Sequence, residues 1–139
     1  MKKVIVLLAE GFEEIEAISI IDILRRAEIS VTTVSIGKEK EVKGAHNVPV
    51  VADKLFDDVD FASYNMLVLP GGMPGAKNLI EHEGVRKQVE AFDKDKYVGA
   101  ICAAPMVLGS MGLLKGKRAT IYPGFEAEHI EATITNEEV

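Results

Sequence analysis

Cysteine is almost absent from this chain of 139 residues, with Cys102 standing alone. A single cysteine excludes a disulfide framework and any multi-cysteine metal site, and it suits a reducing compartment. Paired histidines are missing too. His46, His82 and His129 are scattered, no two at metal-ligand spacing, so neither a metal nor another cofactor is expected. Basic residues form no run longer than a pair, as in Lys2-Lys3 and Arg25-Arg26; the nearest thing to a cluster is Lys115-x-Lys117-Arg118. Sixteen of them against twenty-two acids give a net charge of −6. Nucleic acid and anionic membrane surfaces are therefore not expected partners. No apolar stretch approaches the ~20 residues of a transmembrane helix. Met1-Lys2-Lys3 ahead of Val4–Ala9 mimics a signal peptide, but Glu10, Glu13 and Glu14 follow at once with no small-residue cleavage site. This pattern predicts the first strand of a cytoplasmic protein. What remains is 47% hydrophobic and 27% charged, the profile of one soluble domain spanning 1–139. Such a domain buries roughly two-thirds of its unfolded surface and needs no cross-links to fold.

Apolar patterning predicts alternating strands and helices. Val4–Leu8 is a continuous apolar run, the mark of a strand covered on both faces. Glu13–Glu28 carries Ala17, Ile20, Ile21, Leu24 and Ala27 at helical spacing. Ser30–Ile36 is rich in β-branched residues and reads as a second strand. A polar turn at Gly37–Glu41 precedes an antiparallel excursion through Val42 and Val48–Val51. Met66–Leu69 is another buried strand, stopped by Pro70-Gly71-Gly72. Helices over about Ala76–His82 and Val85–Phe92 lead to a strand at Val98–Cys102. A helix over Ala104–Met111 ends at Gly112. Ala119–Tyr122 reads as a further strand, Phe125–Ile130 as a short helix, and Ala132–Thr135 as the beginning of one more strand. This alternation implies an open, mostly parallel sheet between helical layers. Ligand sites in such folds lie beyond the carboxyl ends of the strands. Three segments meet that edge: Ala9–Glu16, Pro70–Gly75 and Cys102–Pro105.

Those segments hold the candidate chemistry. Cys102 falls where an apolar strand passes into a helix, and a tight turn there lifts a side chain above the sheet as in a nucleophile elbow. Ala100, Ala103 and Ala104 are the small neighbours such a turn requires, and Pro105 suits a first helical turn. A thiol at a helix N-terminus is expected to gain thiolate character. A lone cysteine is also commonly a small buried hydrophobe. Pro70-Gly71-Gly72-Met73-Pro74-Gly75 exposes backbone N–H groups, which suits an oxyanion cradle, but it lacks the Lys-Ser/Thr of a P-loop. Glu13 and Glu14 read as first-turn acids that complement a helix dipole. The spacing leaves Glu16 as either a third such acid or a carboxyl turned toward Cys102, where it would hold its proton. His82, in a charged helical stretch, reads as solvated. No histidine neighbours Cys102 in sequence, although cysteine proteases and amidotransferases need a histidine base. A phospho-receiver of similar topology is excluded, because Leu69-Pro70 ends the strand where an aspartate would stand.

Ala9-Glu10-Gly11-Phe12-Glu13-Glu14-Ile15-Glu16, Leu67-Val68-Leu69-Pro70-Gly71-Gly72 and Ala100-Ile101-Cys102-Ala103-Ala104-Pro105 together resemble the ThiJ/PfpI superfamily, closest to its Parkinsonism-associated deglycase branch. The resemblance implies a flavodoxin-like three-layer α/β/α sandwich with a mostly parallel sheet. It implies that Cys102 is the reactive, oxidation-prone thiol and Glu16 its protonated partner, with the amides of Gly72 and Ala103 forming the oxyanion pocket beside Gly71. Arg26 matches a position near that pocket and a dimer interface. The implied activities are glyoxalase or deglycase chemistry on small aldehydes such as methylglyoxal, peroxide sensing in oxidative stress, and chaperone-like protection. Protease or amidase labels are inherited within the superfamily. Ala103 stands where the protease-like branch has histidine, which counts against peptidase activity. Tyr122 replaces a histidine that some relatives place near the cysteine, and His46 replaces an arginine. The family also continues with a further strand, a Gly-Pro-Gly loop and a closing helix, which this chain lacks after Val139. An uncovered apolar sheet surface is then expected to drive formation of a homodimer or higher homo-oligomer.

Overall fold

A computed structural model describes residues 2–126 and 131–137. Strand β1 (Lys3–Leu8) is followed by helix α1 (Glu14–Arg26) and β2 (Ser30–Ser35). A hairpin of β3 (Glu41–Lys43) and β4 (Pro49–Val51) leads to the two-residue strand β5 (Lys54–Leu55). Two single 3-10 turns, at Phe56–Asp58 and Phe61–Ser63, precede β6 (Met66–Leu69). Helices α2 (Gly75–Glu81) and α3 (Glu83–Asp95), strand β7 (Tyr97–Ala100), helix α4 (Pro105–Ser110) and the short strands β8 (Arg118–Ala119) and β9 (Thr133–Ile134) complete the order.

The central sheet runs β5-β2-β1-β6-β7, and every pairing in it is parallel. Alternation along the strands divides the core between its faces. Ile5, Leu7, Leu67 and Leu69 pack with Leu79, Val85, Val89, Phe92 and Val107 of α2, α3 and α4. Val4, Val6, Leu8 and Val68 pack with Phe12, Ala17 and Ile21 beneath α1, joined by Val42 of the hairpin. The result is an α/β/α sandwich of flavodoxin type. The chain leaves β1 for β2 on one side and later enters β6 on the other, so β1 and β6 flank the point where strand order reverses. Crevices open there at the carboxyl ends.

The elements depart from expectation mainly toward the C-terminal end. Of the strand expected over Ala119–Tyr122, only Ala119 is in a strand, β8 (Arg118–Ala119), whose partner is β9 rather than the central sheet. Tyr122 is bonded instead to the turn around Cys102. Phe125 and Glu126 are irregular, and the rest of the helix expected over Phe125–Ile130 lies outside the described residues. Strand β7 stops at Ala100, which leaves Cys102 wholly in the connection to α4. Strand β5 and the two 3-10 turns carry no clear periodic signal, because each is only two or three residues long. No helix among the described residues is long and apolar enough to cross a membrane.

Candidate active site

Cys102 sits in the left-handed region, at φ 60°, an uncommon conformation for a residue with a side chain. The strain is held by its surroundings. Ile101 N–H donates to the Leu69 carbonyl (3.3 Å), Ala104 N–H closes the turn onto Ile101 O (2.9 Å), and Tyr122 N–H donates to Cys102 O (2.8 Å). Ala103, Ala104 and Pro105 are buried beneath it, and Pro105 opens α4 as expected. This is the elbow that the small-residue run predicted. It brings Tyr122 to Cys102 through the backbone, while the phenol ring remains more than half exposed and packs edge-on against Phe125.

The glycine-rich loop after β6 interlocks with the loop after β1. Glu13 N–H donates to Gly71 O (2.9 Å), and Gly75 N–H to Gly11 O (3.2 Å). Gly72 has φ +94°, and a Cβ there would collide with the Glu13 amide and come within 2.7 Å of Gly11 O. Gly71 lies between the two proposed reacting groups. A Cβ on it would come 2.6 Å from Glu16 Oε2 and 2.8 Å from Cys102 Cβ. Its N–H donates to Glu16 Oε2 at 2.8 Å, which turns that carboxyl back over the sheet edge. Glu16 and Cys102 are thus brought to the two sides of Gly71, an arrangement the spacing left open. The amides of Gly72 and Ala103 donate to no backbone carbonyl among the described residues.

The expected thiolate is not what this environment favours. Burial, together with hydrogen bonding and charge from the Glu16 carboxylate, pushes the Cys102 thiol up to about 11, and the Ala103 amide offsets this only in part. Glu13 adds a second negative charge in the same direction. The Glu16 carboxyl lies where it could exchange a proton with the sulfur.

Glu14 also departs from expectation. It is buried, and its Oε1 accepts the His46 amide (2.7 Å) and the Val48 amide (3.3 Å) while Oε2 meets His46 Nδ1 at 3.0 Å. Burial raises the Glu14 pKa, but these hydrogen bonds overcome it and hold the carboxyl at about 2. Glu14 thereby fastens the β3–β4 turn against α1, and Gly44 lies so close that a side chain there would overlap its carboxyl. Glu13 caps α1 through the Ile15 amide and places Oε2 3.4 Å from the same imidazole. Hydrogen bonding to Glu14 and the charges of both acids raise the His46 pKa. Glu13, Glu14 and His46 are also the group of side chains whose donor atoms converge closely enough to hold a cation, which histidine spacing alone does not reveal. Arg26 lies at the end of α1 far from Glu16, exposed and paired with Asp22 (2.9 Å). His82 is not simply solvated: its Nδ1 accepts the Val85 amide as the cap of α3, and its ring packs on Phe56.

A model of the DJ-1/PfpI family matches residues 2–139. The chain belongs to the DJ-1/PfpI family. Among relatives of this DJ-1/PfpI protein, a DJ-1 homologue of Arabidopsis thaliana is 44% identical over 87% of the chain, which spans only 31% of that protein. A deglycase of Pyrococcus abyssi is 32% identical over 95% of the chain and 79% of its own length. The crystal structure of a DJ-1 superfamily protein from Salmonella typhimurium superposes with a TM-score of 0.93 at 39% identity, covering 99% of this chain and 75% of that one.

Proposed function

We propose that this DJ-1/PfpI protein performs cysteine-dependent chemistry of the glyoxalase or deglycase type on small reactive aldehydes such as methylglyoxal. The observation that carries the reading is the Glu16–Gly71–Cys102 arrangement, with a carboxylate fixed beside a thiol on a strained elbow. As the sulfur attacks the aldehyde carbon, its proton passes to the Glu16 carboxylate, and the former carbonyl oxygen takes the negative charge. The amides of Gly72 and Ala103, which donate to no backbone carbonyl among the described residues, stabilise that oxyanion. Glu16 then returns and moves protons as the hemithioacetal rearranges and water releases the 2-hydroxy acid. One water is added overall; the aldehyde carbon is oxidised as the neighbouring carbonyl carbon is reduced, so no external oxidant is needed. Ala103 in place of a histidine, with His46 and His82 both engaged elsewhere, disfavours peptidase chemistry.

Proton NMR of methylglyoxal mixed with the protein tests the reading. Lactate should form with the unaltered protein and be lost in Cys102→Ala and Glu16→Gln. Lactate formation that survives Cys102→Ala would overturn it. If no lactate forms while peroxide converts Cys102 to a sulfinate, the second reading holds, a redox sensor without turnover.

A further inference from the structure

We propose that Glu13, Glu14 and His46 form a binding site for a borderline divalent cation such as Zn2+ or Co2+, built from two carboxylates and one imidazole. Nothing in the aldehyde chemistry uses these three donors.

The argument rests on how each donor is held. Glu13 spends one carboxylate oxygen on the Ile15 amide, and Glu14 spends one on the His46 and Val48 amides. The second oxygen of each turns to the same point, the Nδ1 of His46, at 3.4 and 3.0 Å. All three donor atoms lie within 4.8 Å of one another. Metal–oxygen and metal–nitrogen bonds of about 2.1 Å place neighbouring donors about 3.0 Å apart in an octahedron and about 3.4 Å apart in a tetrahedron. The two carboxylate–imidazole separations match those edges, so a cation could replace the proton of His46 between them. The Glu14 side chain is nearly nine-tenths buried and anchored by backbone groups, which preorganises the set, whereas the imidazole is 72% exposed and leaves the remaining positions open to solvent. Two oxygens and one imidazole suit borderline ions; Mg2+ and Ca2+ prefer all-oxygen shells.

The donors come from two places. Glu13 and Glu14 open α1, and His46 is carried by the β3–β4 turn, fastened there by the Glu14 contacts with the His46 and Val48 amides. The simpler account is an ion pair between a protonated imidazole and two acids. Titration with CoCl2, followed by calorimetry and visible absorption, separates the accounts. Expected is one Co2+ per chain with ligand-field bands but no thiolate charge-transfer band. Binding should be unchanged in Cys102→Ser and weakened at least tenfold in His46→Ala and in Glu13→Gln. Excess MgCl2 should not displace the ion, and ZnCl2 should. Absence of stoichiometric binding, binding that survives His46→Ala, or binding that disappears in Cys102→Ser would each overturn the proposal. His46 is exposed and Glu13 largely buried, and circular dichroism of both variants establishes that they fold.

Discussion

Replacing Glu14 by glutamine should alter how this protein tolerates acid. The Glu14 carboxyl is held at about 2 against an ordinary 4.5. A carboxylate whose folded pKa lies below its unfolded value contributes stability that is fully present above the unfolded pKa. That contribution is lost as pH falls through the folded value. At roughly 1.4 kcal/mol per pH unit, the gap between 4.5 and about 2 amounts to about 3 kcal/mol. Glutamine keeps a carbonyl oxygen for the His46 and Val48 amides but cannot carry the charge. Glu14→Gln should therefore be about 2–3 kcal/mol less stable at pH 6. The deficit should shrink as pH falls from 4.5 toward about 2, below which both proteins present a neutral group. His46 acts in the opposite sense. Its raised pKa adds stability below about 6.5 that fades as pH rises through the folded value, so the clamp is strongest between the two windows. Urea unfolding from pH 7 to 2.5, in the presence of EDTA, reads the difference directly. Parallel stability curves for the two proteins across that range would refute the assignment of acid sensitivity to Glu14.

Iodoacetamide should alkylate Cys102 with a pH midpoint near 11, and Glu16→Gln should lower that midpoint by removing the carboxylate charge; a rate plateau already reached below pH 8.5 would contradict the site electrostatics. Gly71→Ala should abolish lactate formation and cost about 1–3 kcal/mol in stability, because its Cβ would press on Glu16 Oε2 and Cys102 Cβ; kinetics and unfolding close to those of the parent would show that the loop yields freely. An apolar groove of about 470 Å³ runs between α1 and the β6–β7 face, lined by Ile20, Ile23, Leu24, Met66, Val68 and Ile101. Ile23 is 64% exposed there. Sedimentation should find concentration-dependent self-association that Ile23→Glu weakens, and a compact monomer at micromolar concentration would refute it.

The amino-acid sequence by itself determined the architecture, because the forces that set it act over short spans. The apolar runs Val4–Leu8 and Met66–Leu69 can be satisfied only by burial on both faces, and the spacing of Ala17, Ile21 and Leu24 can be satisfied only by a helix. The small residues around Cys102 likewise betray a crowded elbow without reference to anything distant. Tertiary structure decided the electrostatics. Burial of the elbow and Glu16, 86 residues away in sequence and turned toward it by the Gly71 amide, raise the Cys102 pKa, and a local dipole argument cannot weigh groups whose positions depend on two other loops. Glu14 looks like any first-turn acid until the β3–β4 turn closes over it and sets His46 against its carboxylate. The same distance hides the Glu13–Glu14–His46 convergence, since donors 32 residues apart leave no local pattern. Chain-local propensity selects elements; the long-range packing of their ends selects which charges meet, and the chemistry of this molecule lies at those ends.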